Sequence, residues 1–138
     1  DRTLIEYLLQ AARAFIYTTA PSPAQACAIT AAYDLLESEA WRRQVLQERI
    51  AQFRQGAKTH ELPIMESATA IQPLLVQDAA RAVAISERLF RQGIWLAAIR
   101  PPTVPTGTSR LRITLTAAHS EAQVTHLLDN LSEAVWAD

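Results

Sequence analysis

The chain has 138 residues, 49% of them hydrophobic, so a single domain can bury a substantial core. Its formal net charge is −1 and no run of like charge exceeds two residues, which argues against nucleic acid or an anionic membrane surface as the main partner. No apolar run approaches the roughly 20 residues of a membrane helix, no signal-peptide pattern is present, and the single cysteine, Cys27, excludes an internal disulfide and fits a reducing cytoplasm.

In chain order, Thr3 to Glu6 reads as a capping box, with the hydroxyl accepting from the third helical amide while the carboxylate reaches back. The helix behind it carries Leu4, Leu8, Ala11 and Phe15 at helical spacing, runs to about Ala14, and is broken by "FIYTTAPSP". Ser22 to Gln25 is a second capping box, with Pro23 at the first helical position, where its missing N–H costs nothing. From there to Arg54 the pattern predicts one long helix. Ile29, Tyr33, Leu36, Ala40, Val45, Arg49 and Phe53 trace one face, which Leu46 and Ile50 widen. A helix of about thirty residues exceeds the ordinary globular length and is expected to run along a domain boundary. Cys27 reads as a small buried side chain on it. Gly56 is the expected C-cap, and Lys58 falls in the polar loop beyond.

The second half changes character. "AIQPLLV" (70–76) is a buried strand that Pro73 confines to an edge or a bulge. Asp78 caps a helix with Ala82, Ile85 and Leu89 on one face, and Gly93 ends it. "IWLAAI" (94–99) is a strand, "RPPTVPTGTS" a stiff loop, and "RLRITLT" (110–116) an alternating strand. Ser120 and Gln123 form a third capping box, followed by Val124, Leu127, Leu128, Leu131 and Val135. The fold class is therefore α+β. A long boundary helix leads into a β-α-β-β-α domain with helices on one face of a small, mostly antiparallel sheet. The domains are a helical segment, 1–56, and an α+β domain, 57–138. The chain starts at Asp1 without methionine and holds one lysine against twelve arginines, so it is expected to be part of a longer protein.

Two clusters carry chemistry. If Leu111, Ile113 and Leu115 face the helices, Arg110, Arg112, Thr114 and Thr116 share the opposite face, and Arg100 can approach it from the preceding strand. A guanidinium offers a planar fork of donors to a carboxylate or phosphate, and the three prolines between Arg100 and Arg110 restrict the loop that positions it. Ordinary surface arginines would show the same spacing. Thr18 and Thr19, just ahead of the second helix start, place hydroxyls where an anion is favoured, or serve only the turn. His60 and His126 read as solvated and His119 as structural. No metal-ligand spacing and no GxGxxG, GxSxG or phosphate-loop motif occurs.

The run "GIWLAAIRPPTVPTGTSRLRITLTAAHS" resembles the C-terminal segment of the α-oxoamine synthases, in the branch that serves biotin synthesis. "DRTLIEYLLQAARAFIYTTAPSPAQACAI" resembles their segment just after the cofactor lysine. The resemblance implies a fold type I, pyridoxal-phosphate-dependent homodimer that joins an amino acid to an acyl thioester with loss of carbon dioxide. For that branch the pair is L-alanine and pimeloyl-CoA or its carrier-protein thioester. It also implies that Arg112 holds the amino-acid carboxylate, that Arg100 orients it, and that Thr103 lies beside the substrate. Thr18 and Thr19 would reach the cofactor phosphate in the neighbouring subunit, although Ala20 stands where the family usually has serine. The family's Schiff-base lysine matches no residue here, Lys58 included, so these 138 residues alone are expected to be inactive. Two other readings remain from the residues themselves: a self-standing α+β module that binds a small carboxylate, and a structural domain whose long helix is a dimer surface.

Overall fold

The first helix begins at Asp1 rather than Thr3. In the computed structural model, which describes residues 1–136, the Asp1 carboxylate accepts from the Thr3 amide at 2.9 Å and caps α1 (Arg2–Ala11). Glu6 pairs with Arg2 at 2.8 Å, one turn away, instead of closing a box with Thr3. Ala12 leaves helical space at ψ 101, so α1 stops short of Ala14, and α2 (Arg13–Ile16) is a separate turn.

The Ser22 capping box forms as the spacing predicts. The Ser22 hydroxyl accepts from the Gln25 amide at 3.2 Å, and the Gln25 side chain accepts from the Ser22 amide at 3.3 Å. The long helix expected behind it is two helices, α3 (Pro23–Ser38) and α4 (Trp41–Thr59). Glu39 breaks the run at φ −110, ψ 52. Just before it, the Ser38 hydroxyl donates to the Asp34 carbonyl at 2.7 Å, the back-bonding that bends helices. Apolar periodicity continued across this break and could not register it. Cys27 lies on α3 but is exposed, because α3 buries none of its residues.

Residues 1–40 form one compact unit, and the chain from Trp41 onward forms the other. Thus α4, grouped by sequence with the helical segment 1–56, packs in the second unit, together with β1 (Ile71–Gln77), α5 (Ala79–Arg91), β2 (Ala97–Ile99), β3 (Ser109–Thr114) and α6 (Glu121–Trp136). Gly56 is not a cap. It lies inside α4, where an added Cβ would collide with the Leu128 side chain of α6, so it sets the close approach of the two helices. The helix ends later, with Glu61 in the left-handed region at φ 53. The Glu61 amide donates to the Lys58 carbonyl at 3.2 Å and the Leu62 amide to the Ala57 carbonyl at 2.9 Å, a Schellman pattern. Lys58 therefore sits in the last turn of α4, not in a loop.

The sheet is antiparallel with order β1-β3-β2. β1 is an edge strand with an irregularity between Leu75 and Gln77, both of which suit the presence of Pro73. β2 is shorter than expected because Gly93 (φ 81) and Ile94 close the end of α5. Their amides donate to the Phe90 and Leu89 carbonyls at 3.0 and 2.9 Å. β3 ends at Thr114 rather than Thr116, whose amide donates to His119 Nδ1 at 3.0 Å. Leu74, Leu111 and Ile113 are fully buried on one sheet face, on which α5 lies, and α6 packs against both α5 and α4. Phe53, Leu89 and Leu131 complete the core, each side chain contributing about 1.5–3 kcal/mol of transfer free energy. The caps of Asp78 and Ser120 form as expected.

Candidate functional site

The alternation of β3 separates two faces as the sequence requires. Leu111 and Ile113 are buried, while Arg112 and Thr114 are exposed on the side away from the helices. Arg112 lies on the central strand, opposite Pro73 on one side and Ala97 on the other. Neither neighbour carries charge. Among the described residues no hydrogen bond or ion pair engages its guanidinium, so the full fork of donors is available to an anion.

Arg100 follows β2 directly, and its exposed guanidinium is also unengaged among the described residues. Its carbonyl accepts from the Thr103 amide at 3.1 Å, which makes Arg100 and Thr103 the two ends of one turn. The Pro101–Pro102 peptide bond within that turn is cis. A second turn closes the loop. The Thr108 amide and hydroxyl both donate to the Pro105 carbonyl, at 3.2 and 2.7 Å, around Gly107 at φ 80, a conformation that glycine adopts without strain. The structure thus gathers Arg100, Thr103 and Arg112 into one hairpin and its connecting loop.

Thr18 and Thr19 lie in the first unit, in the segment between α2 and the capped start of α3. Both are exposed, and neither hydroxyl has a hydrogen-bond partner among the described residues. Their chemistry suits a phosphate. His119 is structural, as expected, since it accepts from the Thr116 amide. His60 is half-buried rather than solvated, with Nε2 3.8 Å from Asp129 and its carbonyl accepting from the Trp136 indole at 3.1 Å. Among the described residues no group of His, Cys, Asp or Glu is placed to hold a metal ion, and no helix is long and apolar enough to cross a membrane.

Sequence reasoning did not foresee the cluster beneath the 65–70 segment. Gln72 is fully buried on the core face and donates to the Ser67 and Thr69 carbonyls at 3.3 and 2.6 Å. It accepts from Arg54 at 3.0 Å, while Arg54 also reaches Glu66 at 3.2 Å. The available signal was Gln72 itself, a polar residue inside an apolar run, which burial obliges to find partners.

The family model for aminotransferase class I and II matches residues 1–131, and the chain belongs to that family. Within it, the chain is 58% identical to the 8-amino-7-oxononanoate synthase of Nitrosococcus oceani over 135 residues, which cover 98% of this chain and 36% of that protein. The chain therefore spans about a third of the length of the curated relatives it matches. Among solved structures, the 8-amino-7-oxononanoate synthase of Francisella tularensis matches with TM-score 0.81 and 27% identity, over 98% of this chain and 39% of that one. A serine palmitoyltransferase of S. paucimobilis, solved with bound PLP and myriocin, matches with TM-score 0.84 and 25% identity, over 94% of this chain and 33% of that one.

Proposed function

We propose that this chain is the C-terminal part of a pyridoxal-phosphate-dependent acyltransferase. The reaction joins L-alanine to a pimeloyl thioester, with loss of carbon dioxide, to give 8-amino-7-oxononanoate for biotin synthesis. The observation that carries this reading is Arg112, exposed on the central strand with no partner among the described residues, in a chain 58% identical to a synthase of that name. Arg112 holds the alanine carboxylate through two parallel hydrogen bonds. Arg100 orients it, with Thr103 beside the substrate at the other end of their turn, and that orientation favours loss of the α-proton first and of the carboxyl group later. Thr18 and Thr19 donate to the cofactor phosphate. Bound pyridoxal phosphate supplies the electron sink that such bond breaking needs. In this reading the enzyme is a cytoplasmic homodimer, and the first unit continues from its cofactor-binding part. A serine- or glycine-using synthase of the same class is the second reading, favoured by the likeness to serine palmitoyltransferase. The far higher identity to the alanine-using relative sets it behind the first.

The test is Arg112→Ala in the complete enzyme. L-Alanine affinity should fall by about 100-fold or more while pyridoxal phosphate stays bound, as removing a bidentate charge-assisted pair predicts. Unchanged alanine affinity would sink the assignment. The 138 residues alone, mixed with pyridoxal phosphate and borohydride, should give no stoichiometric adduct on Lys58, which lies exposed at the end of α4.

A further inference from the structure

Arg110 stands two residues from Arg112 on the same face of β3, roughly 7 Å along the strand. Its surroundings differ. It is half-buried and lies opposite Leu75 on β1 and Ile99 on β2. Its Nε donates to the Thr108 carbonyl at 3.0 Å, and one terminal nitrogen lies 3.6 Å from Met65 Sδ. Among the described residues no carboxylate pairs with it. Its inner N–H is thus committed to a loop carbonyl and not to an acid.

That carbonyl belongs to the residue that closes the loop. Thr108 is bonded to Pro105 through both its amide and its hydroxyl, and Pro101, Pro102 and Pro105 restrict the path back to Thr103 and Arg100. Hydrogen bonds therefore run from Arg110 through Thr108 to Pro105, and from there the proline-restricted backbone leads to the turn that carries Arg100. We propose that Arg110 is a positioning residue. It does not bind the substrate carboxylate; it fixes the β3 end of the 100–108 loop and so keeps Arg100 and Thr103 in place beside a carboxylate held by Arg112. This inference rests on the reading of Arg112 and Arg100 given above. Lysine cannot substitute, because its ammonium retains the charge but lacks the planar Nε donor.

The experiment uses the complete enzyme loaded with pyridoxal phosphate. Arg110→Lys and Arg110→Gln should each lower kcat/KM for L-alanine roughly tenfold, with alanine Kd by calorimetry rising less than about threefold. In an Arg100→Ala background the effect of Arg110→Lys should shrink to under about twofold, since little remains to be positioned. Amide hydrogen exchange at Thr103 and Thr108 should accelerate in Arg110→Lys. Full additivity with Arg100→Ala would overturn the proposal, leaving Arg110 as ordinary scaffold. So would wild-type behaviour of Arg110→Lys beside a defective Arg110→Gln, which would make charge alone the cause. If neither Arg110 variant folds, Thr108→Val removes the shorter of the two bonds from Thr108 to Pro105 and should show the same non-additivity with Arg100→Ala; additivity there overturns the proposal equally. An Arg112→Ala enzyme with normal alanine affinity would instead remove the underlying reading, whatever Arg110 does.

Discussion

The helices of the first forty residues and those of the remainder are built by the same local chemistry, yet within these 138 residues only the second set packs on a core. No residue of α1, α2 or α3 is buried, and Leu4, Phe15 and Tyr33 are each more than half exposed. In the second unit Phe53, Leu89 and Leu131 are completely enclosed. Capping and helical propensity thus suffice to specify where a helix starts, as at Ser22, but they do not create a core. The sheet does that, by offering α5 a flat apolar face and letting α6 and α4 pack behind it.

This contrast can be broken by substitution. The largest effect is expected at Phe53→Ala, which should destabilise the second unit by about 3–5 kcal/mol in urea titrations followed by circular dichroism. A loss below 1 kcal/mol would mean that the core is not held as the contrast requires. Gly56→Ala should cost about 1–3 kcal/mol in the same titration, because the new methyl group meets Leu128. Ser22→Ala removes a cap rather than packing. It should lower the helicity of the first unit by an amount equivalent to about 1 kcal/mol and leave the main unfolding transition of the second unit where it was. Smallest of all, Leu8→Ala should change stability by less than about 0.5 kcal/mol, since Leu8 is 46% exposed. A cost comparable to that of Phe53→Ala would show that the first unit carries a core of its own.

Much of the candidate site was legible in the chain. The alternation of "RLRITLT" placed Arg112 away from the core, because a pleated strand turns successive side chains to opposite faces. The prolines marked a restricted loop, and Thr103 does bond back to Arg100. What the alternation could not do was distinguish Arg110 from Arg112. They share a face, and it is the bond from Arg110 to the Thr108 carbonyl, together with Met65, brought beside β1 by the bond from its amide to the Pro73 carbonyl at 2.9 Å, that engages one of them and leaves the other free. Thr18 and Thr19 were likewise recognisable as hydroxyls before a helix start, with their role left to a partner group.

By itself, the sequence determined those features whose donors and acceptors lie within a few residues: the Ser22, Asp78 and Ser120 caps, the glycine that ends α5, and the two faces of β3. Tertiary structure alone decided the rest. It left Cys27 exposed and turned Gly56 from a cap into a contact with Leu128. The physical reason is common to both. Burial depends on which surface arrives from a distant part of the chain, and a local pattern specifies only the face that is offered to it.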